Sequence, residues 1–294
     1  MILRVRPMRF TFRAGDTVSF PPGKAANIFR GAFGEIFRRI ACEPDCPGAA
    51  SCPHAAHCPY ARMFEPRGHA HSPSGFKDQP RPFVLRAASL DGKRFETGEQ
   101  FTLDVNVFDP EAPALDYFRQ SFEQLWKEGL GPGRARVELL DAIELPVVDC
   151  DLHAHASAVA KIRVTFLTPT ELKSGGEVLR EPAFDALYSR ARDRASGLIT
   201  FYQASLNQHN HPPDFRSIGE RARAVRMTAA SVADANFERK STRTGQRHSL
   251  GGFTGEAEYE GDLAEFLPCL LAAWWTGVGR LTVWGNGLVK TEVL

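Results

Sequence analysis

Long hydrophobic runs are missing from the sequence. The longest apolar stretch, FLPCLLAAWW (Phe266 to Trp275), is too short to cross a bilayer, which requires about 18 apolar residues or more. The first residues, MILRVRPMRFTFRAGD, alternate charged and hydrophobic side chains and lack the apolar core of a signal peptide. We therefore expect a cytoplasmic protein with no membrane partner, whose cysteines stay reduced.

Net charge is also nearly absent. The chain has 36 Lys and Arg residues against 35 Asp and Glu residues, which leaves a formal charge of +1. Global charge therefore indicates no polyanionic partner, and any nucleic-acid surface must be local. With 294 residues, of which 43% are hydrophobic, the chain has the composition of a globular protein and the length for two domains of about 100 to 150 residues.

Each half of the chain shows the same order of predicted elements, β-α-β-β-α-β. Alternating patterns predict the strands, and apolar residues at helical spacing predict the helices. The first half has strands in PMRFTFRA, 81–89, 99–109 and 134–144, a helix in GKAANIFRGAFGEIFRRI, and a helix from 114 that stops at the glycines of GLGPG. The second half has strands at 159–169, 222–232, 251–261 and 280–293, and helices at 181–203 and 262–275.

Two such units in succession predict an α+β protein with two tandem ferredoxin-like, RRM-like domains. We place these domains at 1–150 and 151–294, with the boundary near 148–158. The first carries a cysteine-rich insertion at 42–58, after its first helix, and the second carries a glycine-rich loop at 277–287. The fold alone names no function, because many functions share it.

The glycine-rich loop, GVGRLTVWGNG, carries the most specific pattern in the sequence. Two G-x-G pairs, Gly277 with Gly279 and Gly285 with Gly287, flank five residues between an apolar helix and the last strand. Because glycine has no Cβ, these positions let the backbone approach another backbone or a phosphate closely. Taken alone, the pattern also fits a glycine-rich turn beside a twisted edge strand.

This loop resembles the one that lies between the last helix and the last strand in the RAMP superfamily of CRISPR-associated proteins. The longer segment GGFTGEAEYEGDLAEFLPCLLAAWWTGVG is similar to the C-terminal domain of the CRISPR repeat-RNA (pre-crRNA) processing endoribonucleases of that superfamily. Further similar segments are NIFRGAFGEIFRRIACEPDC and CPYARMFEP in the first half and PAFDALYSRARDRASGLITFY in the second. The resemblance implies a protein that binds a CRISPR repeat stem-loop and cuts once beside it, without a catalytic metal, to give the mature guide RNA (crRNA). Many members then stay bound to that RNA with other Cas proteins in an effector complex.

Metal-free RNA cleavage uses the 2′-hydroxyl beside the scissile phosphate as the nucleophile, so the protein must align it, move protons and stabilise the phosphorane. In the family the general acid or base is often a histidine just after the first helix. Here that helix ends in FRRI, and no histidine precedes His54. The resemblance therefore assigns phosphate-positioning and transition-state roles to Arg38 and Arg39, although arginine is a poor base. For proton transfer we favour His248.

A local basic segment is the main candidate for RNA contact. From Arg216 to Arg247 the sequence has eight basic and three acidic residues, an excess of five. A solvated charged loop is the alternative for this segment, and a solvated helix face is the alternative for the arginines of the helix before it. The predicted RNA-binding residues are Arg239, Lys240, Arg243 and Arg247 in the segment, Arg190 and Arg194 on the helix, and Gly277, Gly279, Arg280, Gly285 and Gly287 in the glycine-rich loop.

Four cysteines with the spacing C-x3-C-x5-C-x5-C, Cys42, Cys46, Cys52 and Cys58, surround His54 and His57. In a reducing compartment such a cluster favours a structural Zn²⁺ or an iron–sulfur cluster, with packing thiols and disulfides as alternatives. No C-x2-C pair of a regular zinc ribbon is present. If all four cysteines are ligands, the two histidines can meet RNA; if a histidine is a ligand, one cysteine is spare.

Three functions remain open at this point. The first is a metal-independent endoribonuclease that matures CRISPR RNA. The second is a non-catalytic RAMP subunit that binds guide RNA in an effector complex, which the missing early histidine favours. The third is a metal-binding interaction module unrelated to RNA.

Overall fold

The structure is a computed structural model that describes residues 1–43, 45–49, 51–55, 57–66, 79–110, 114–153, 157–207, 214–235, 237–240, 247–249 and 251–294. The chain divides into two compact units. The N-terminal unit consists of Arg4–Val148 with Thr200–Gln203, and the C-terminal unit consists of Met1–Leu3, Asp149–Ile199 and Ala204–Leu294. No helix in the described ranges is both long enough and apolar enough to span a membrane.

The first half of the chain forms a ferredoxin-like domain. Its helices are α1 (Ala25–Ala41), α2 (Pro59–Phe64), α3 (Ala114–Glu123) and α4 (Leu125–Glu128). Its strands are β1 (Ile2–Ala14), β2 (Val18–Ser19), β3 (Phe83–Arg86), β4 (Arg94–Phe95), β5 (Gln100–Val107), β6 (Val137–Glu144) and β7 (Val148–Asp151). The sheet order is β3-β5-β1-β6, and these neighbours are antiparallel. The path β1-α1-β3-β5-α3-β6 through that order is the ferredoxin-like arrangement.

Phenylalanine rings fill the core beneath this sheet. Phe29, Phe33 and Phe37 recur at helical spacing along α1 and are fully buried. Phe33 stacks on Phe118 of α3 with ring centroids 4.6 Å apart, and Phe122 of α3 meets Phe33 at 5.1 Å. Because one whole face of α1 is buried, the polar residues of its last turn lie at the edge of the core, beside the segment that follows.

The second half repeats the arrangement. Its helices are α5 (Phe184–Tyr202), α6 (Phe215–Ala224) and α7 (Leu267–Thr276). Its strands are β8 (Lys161–Thr170), β9 (Lys173–Ser174), β10 (Glu177–Val178), β11 (Arg226–Ala235), β12 (Glu238–Lys240), β13 (Arg247–Ser249), β14 (Gly252–Glu260) and β15 (Val289–Val293). The main sheet has the order β11-β14-β8-β15 with antiparallel neighbours, so the expectation of two tandem ferredoxin-like folds is confirmed.

The structure corrects three predicted elements. The strand expected at 280–293 is limited to β15, because Leu281 (φ 63°) and Gly285 (φ 85°) adopt left-handed conformations that bracket a short 3₁₀ turn. The helix expected from 114 is divided into α3 and α4, although it does stop at a glycine, Gly129. The polar segment before β11 contains α6, whose N-terminus is capped by the carboxylate of Asp214.

An ion pair with a fully buried carboxylate fixes α2 against the sheet. Asp109, two residues after the end of β5, is fully buried, and both of its carboxylate oxygens accept hydrogen bonds from the guanidinium of Arg62 on α2, with Nη2 to Oδ1 at 2.8 Å. Arg81 adds a bond from its Nε to the carbonyl of Phe64, the last residue of α2, at 2.7 Å. The short helix is therefore anchored at its middle and at its end.

Replacing Asp109 with alanine should destabilise the N-terminal unit, because the charge of Arg62 then lacks its buried partner. We expect the free energy of unfolding to fall by about 3 kcal/mol, measured by urea denaturation. Glu138→Ala is the matched control: Glu138 pairs with Arg13 at 3.4 Å, and both side chains are about half exposed, so its loss should cost less than about 1 kcal/mol. Equal losses in the two variants would contradict the anchoring role of Asp109.

Candidate functional site

The last turn of α1 presents the two arginines for which the sequence predicted phosphate roles. Their environments differ. Arg38 is half-buried, donates from Nη2 to the carbonyl of Cys46 at 3.2 Å, and has its guanidinium carbon 6.0 Å from the centre of the Tyr60 ring. Arg39 is exposed and forms an ion pair with Glu128 at 2.9 Å. The position of Arg38 is therefore set by the cysteine-rich loop and α2, whereas Arg39 is held by one exposed pair, the weaker kind of constraint.

The cysteine-rich loop joins α1 directly to α2. Cys42 is the residue that caps the C-terminus of α1, and Cys58 is the residue that caps the N-terminus of α2. Their Sγ atoms lie 3.8 Å apart, and all six cysteines of the chain are free thiols. Burial, followed by the proximity of Cys58 and Cys46, raises the pKa of the Cys42 thiol to about 12.

A cavity of about 390 Å³ lies within this loop. All four cysteines of the predicted cluster line it, together with the exposed His54 and His57. No group of three or more His, Cys, Asp or Glu side chains among the described residues already has metal-binding geometry. The structure therefore brings the cysteines to one cavity without placing them as a finished coordination shell.

The sequence analysis kept His54 and His57 as residues that can meet RNA and named His248 for proton transfer. It did not identify the two histidines as part of one cavity with the end of α1. The usable signal was Pro59 at the first position of α2, because proline there marks a helix start and places Cys58 immediately before it.

The glycine-rich loop of the C-terminal unit is shaped by close backbone contacts. Gly277, Gly279, Gly285 and Gly287 all have positive φ, between 70° and 85°. A Cβ on Gly279 would lie 2.4 Å from the carbonyl oxygen of Glu171, and one on Gly287 would lie 1.9 Å from that of Val278. These glycines are thus required by the packing of the loop itself. Their contact with RNA stays a prediction.

Arg280 projects from this loop and is more than half exposed. Its Nη1 donates to Oε1 of Glu171 at 2.7 Å, and its backbone N–H donates to the carbonyl of Glu171 at 3.3 Å. The carboxylate is almost completely buried, so Arg280 is a cation held in a defined position beside the loop. This arrangement is compatible with the predicted RNA contact of Arg280.

Part of the positive charge counted in the basic segment, 216–247, is matched by acidic side chains in the structure. Arg216, Arg221 and Arg226 form ion pairs with Glu220, Glu265 and Glu260, respectively, so three of the eight counted cations face acidic partners. Of the other five, Arg223 lies on α6 and three lie on the two-stranded hairpin of β12 and β13, in which Arg239 is opposite His248 and Lys240 is opposite Arg247 in the backbone register. The predicted residue Arg243 lies outside the described residues.

The two arginines of α5 that were predicted to bind RNA both contact other groups of the protein. Arg190 is partly exposed and pairs with Asp193 at 3.6 Å. Arg194 is partly buried, with its Nε 3.4 Å from the carbonyl of Thr276 at the end of α7. Arg194 therefore supports the packing of two helices in the C-terminal unit, and RNA contact remains a prediction for both arginines.

Comparisons with known proteins agree with this architecture. A family model, AF_1859_N, described as an N-terminal domain, matches residues 3–152, and the model described as CRISPR-associated endoribonuclease Cas6 matches residues 164–289. No curated protein matches the chain.

Among solved structures, a Cas6 from Thermus thermophilus is 14% identical with a TM-score of 0.56, and the alignment covers 98% of both chains. A Cas6 product complex is 16% identical with a TM-score of 0.58, covering 98% of this chain and all of the other. A Cas6-RT-Cas1–Cas2 complex is 11% identical with a TM-score of 0.55, covering 99% of this chain and 29% of the other. At these identities the structures show the fold, and the two family models cover nearly the whole sequence in order. The chain thus belongs to the family described by the N-terminal domain model over residues 3–152, and its residues 164–289 match the CRISPR-associated endoribonuclease family model.

Proposed function

We propose that this protein processes CRISPR RNA by binding a repeat stem-loop and cutting it once through 2′-hydroxyl attack, without a catalytic metal. The observation that carries the proposal is the match of the CRISPR-associated endoribonuclease model to 164–289, within a duplicated ferredoxin-like fold. A cytoplasmic location and continued attachment to the guide RNA among other Cas proteins belong to the same proposal. The similarity to a chain of a Cas6-RT-Cas1–Cas2 complex supports association with other Cas proteins.

Arg38 is the residue best suited to stabilise the pentavalent phosphorane. A guanidinium has five N–H donors in a rigid plane, so the bond to Cys46 leaves further donors for a bidentate grip on phosphate oxygens. Its partial burial strengthens that interaction, because the local dielectric constant is below that of water. Arg39, one residue further and exposed, is placed to attract the RNA backbone.

Proton transfer at this site falls to the histidines of the same loop. His54 and His57 are exposed and line the cavity at the end of α1, where the family places its general acid or base. An imidazole near neutral pKa suits both proton steps. The sequence favoured His248, but His54 and His57 lie in the loop that directly follows α1 and line its cavity, which is the positional argument for them.

The cleavage reaction tests the proposed function directly. End-labelled repeat RNA is incubated with the protein in EDTA, and a single cut that leaves a 2′,3′-cyclic phosphate is the expected result, since no metal ion takes part in the chemistry. Tight, salt-sensitive RNA binding without a cut would instead favour the non-catalytic RAMP subunit. Absence of salt-dependent binding would favour an interaction module unrelated to RNA.

Arg38→Ala should slow cleavage more than it weakens binding. We expect a loss of about 10²-fold or more in the single-turnover rate, because the guanidinium acts mainly in the transition state, and a change in Kd of only a few fold. Arg38→Lys should cleave nearly as slowly as Arg38→Ala, since lysine lacks the planar fork of donors. Arg119→Ala, which removes an exposed arginine paired with Asp116 on α3, is the matched control. Equal loss of rate and affinity would make Arg38 a binding residue only.

The double variant His54→Ala/His57→Ala should lower the single-turnover rate by about 10²-fold or more and flatten its pH dependence between pH 5 and 8, because it removes the proposed proton carriers. His248→Ala is the comparison, measured with the same RNA. A larger loss in His248→Ala would return proton transfer to the hairpin of the C-terminal unit.

A further inference from the structure

Cys42 lies at the end of α1 and Cys58 lies at the start of α2, and the side chains of these two residues are close together. Cys42 and Cys58 are 16 positions apart in sequence, yet their Sγ atoms are separated by 3.8 Å. A disulfide needs about 2.05 Å, so the pair is not bonded. In a tetrahedral site with zinc–sulfur bonds of about 2.3 Å, neighbouring sulfurs are about 3.8 Å apart. This pair therefore already has the separation of two ligands on one zinc ion.

The other two thiols lie in the same cavity. Cys46 and Cys52 line the cavity together with Cys42 and Cys58. Short turn bonds shape the segments that carry them, from the Cys46 N–H to the carbonyl of Glu43 at 3.1 Å and from the Cys52 N–H to that of Gly48 at 3.1 Å. Completing four-fold coordination requires local closure of these turns, which the binding free energy of a structural zinc is large enough to drive.

We propose that Cys42, Cys46, Cys52 and Cys58 bind one structural Zn²⁺ that ties the end of α1 to the start of α2. The site is closed, so it offers no open position for catalysis. Its proposed effect on the RNA chemistry acts through Arg38, whose guanidinium is bonded to the carbonyl of Cys46. Four thiolates and one zinc carry a net charge of −2, and Arg38 places a compensating positive charge beside them.

Fixing both ends of the loop explains why a short helix follows it. The six residues of α2 cannot form a stable helix by themselves, because a helix this short does not offset its nucleation cost. The Arg62–Asp109 pair anchors the middle of α2, and a metal ion at Cys58 would hold its first turn. Tyr60, between them, is the ring over which Arg38 lies.

Metal content tests the site independently of any RNA. The full chain, purified with reductant and passed into metal-free buffer, should retain about one zinc per chain by elemental analysis. Replacement of the zinc by Co²⁺ should give the intense visible bands of a tetrahedral site and the thiolate charge-transfer band of four sulfurs. Cys42→Ser/Cys58→Ser should lose the metal, whereas the control Cys150→Ser, in the other unit, should keep it.

Four results would overturn the proposal. They are wild-type protein with neither zinc nor a cobalt spectrum, the brown absorption of an iron–sulfur cluster, the loss of two titratable thiols to a disulfide, or a cobalt spectrum of three sulfurs and one nitrogen that disappears in His54→Ala/His57→Ala. Because the cobalt titration uses wild-type protein, it decides the question even if a cysteine variant fails to fold.

The link to Arg38 has its own test and rests on the proposed RNA cleavage. Removing zinc from wild-type protein should slow the single-turnover rate by about 10-fold, a loss of about 1.4 kcal/mol of transition-state stabilisation, while Arg38→Ala should show no further loss when its zinc is removed. If zinc removal lowers the rate equally in both proteins, the metal does not act through Arg38. If neither protein cleaves RNA, the proposed function fails, and the metal measurements still stand.

Discussion

The carboxylate of Asp109 has no exposed surface, and Arg62 stabilises its negative charge with two hydrogen bonds. This pair joins the end of a central strand to α2, the helix that follows the cysteine-rich loop. Fixing α2 fixes Tyr60 and Cys58, and through them the environment of Arg38. The geometry of the proposed RNA site thus depends on an ion pair between Arg62 and the fully buried Asp109.

Hydrophobic periodicity was sufficient to predict the duplicated fold, because the buried faces are long and regular. In α1, Phe29, Phe33 and Phe37 form one continuous buried stripe, and the alternation in β5 is equally clear. The wrong predictions of secondary structure lie where local backbone geometry overrides the hydrophobic pattern. The residues from Leu281 to Gly285 have the apolar composition of a strand, but left-handed positions at both ends turn the chain into a 3₁₀ segment.

The candidate site was also predicted only in part. The reason here is not local backbone geometry but contacts between residues far apart in sequence. Arg38 and Arg39 came from a resemblance and from the end of a well-patterned helix, and both do lie in its last turn. The contribution of the loop depends on which residues meet across space. The sequence did predict that the four cysteines meet, but it does not indicate which pair comes closest or which groups surround Arg38, because those contacts depend on the anchoring of α2 by a residue far along the chain, Asp109.

The glycine-rich loop of the C-terminal unit is bonded to its own surroundings before any partner arrives. The backbone N–H of Val278 donates to the carbonyl of Gly287 at 2.8 Å, that of Gly287 donates to Pro169 at 3.0 Å, and Gly279 and Gly287 leave no space for a Cβ. A ligand that meets this loop would pay little conformational entropy to order it, since the rotational freedom of these residues is already lost on folding. The same rigidity leaves the loop little ability to adapt its shape, so a change of ligand preference here must come from its side chains.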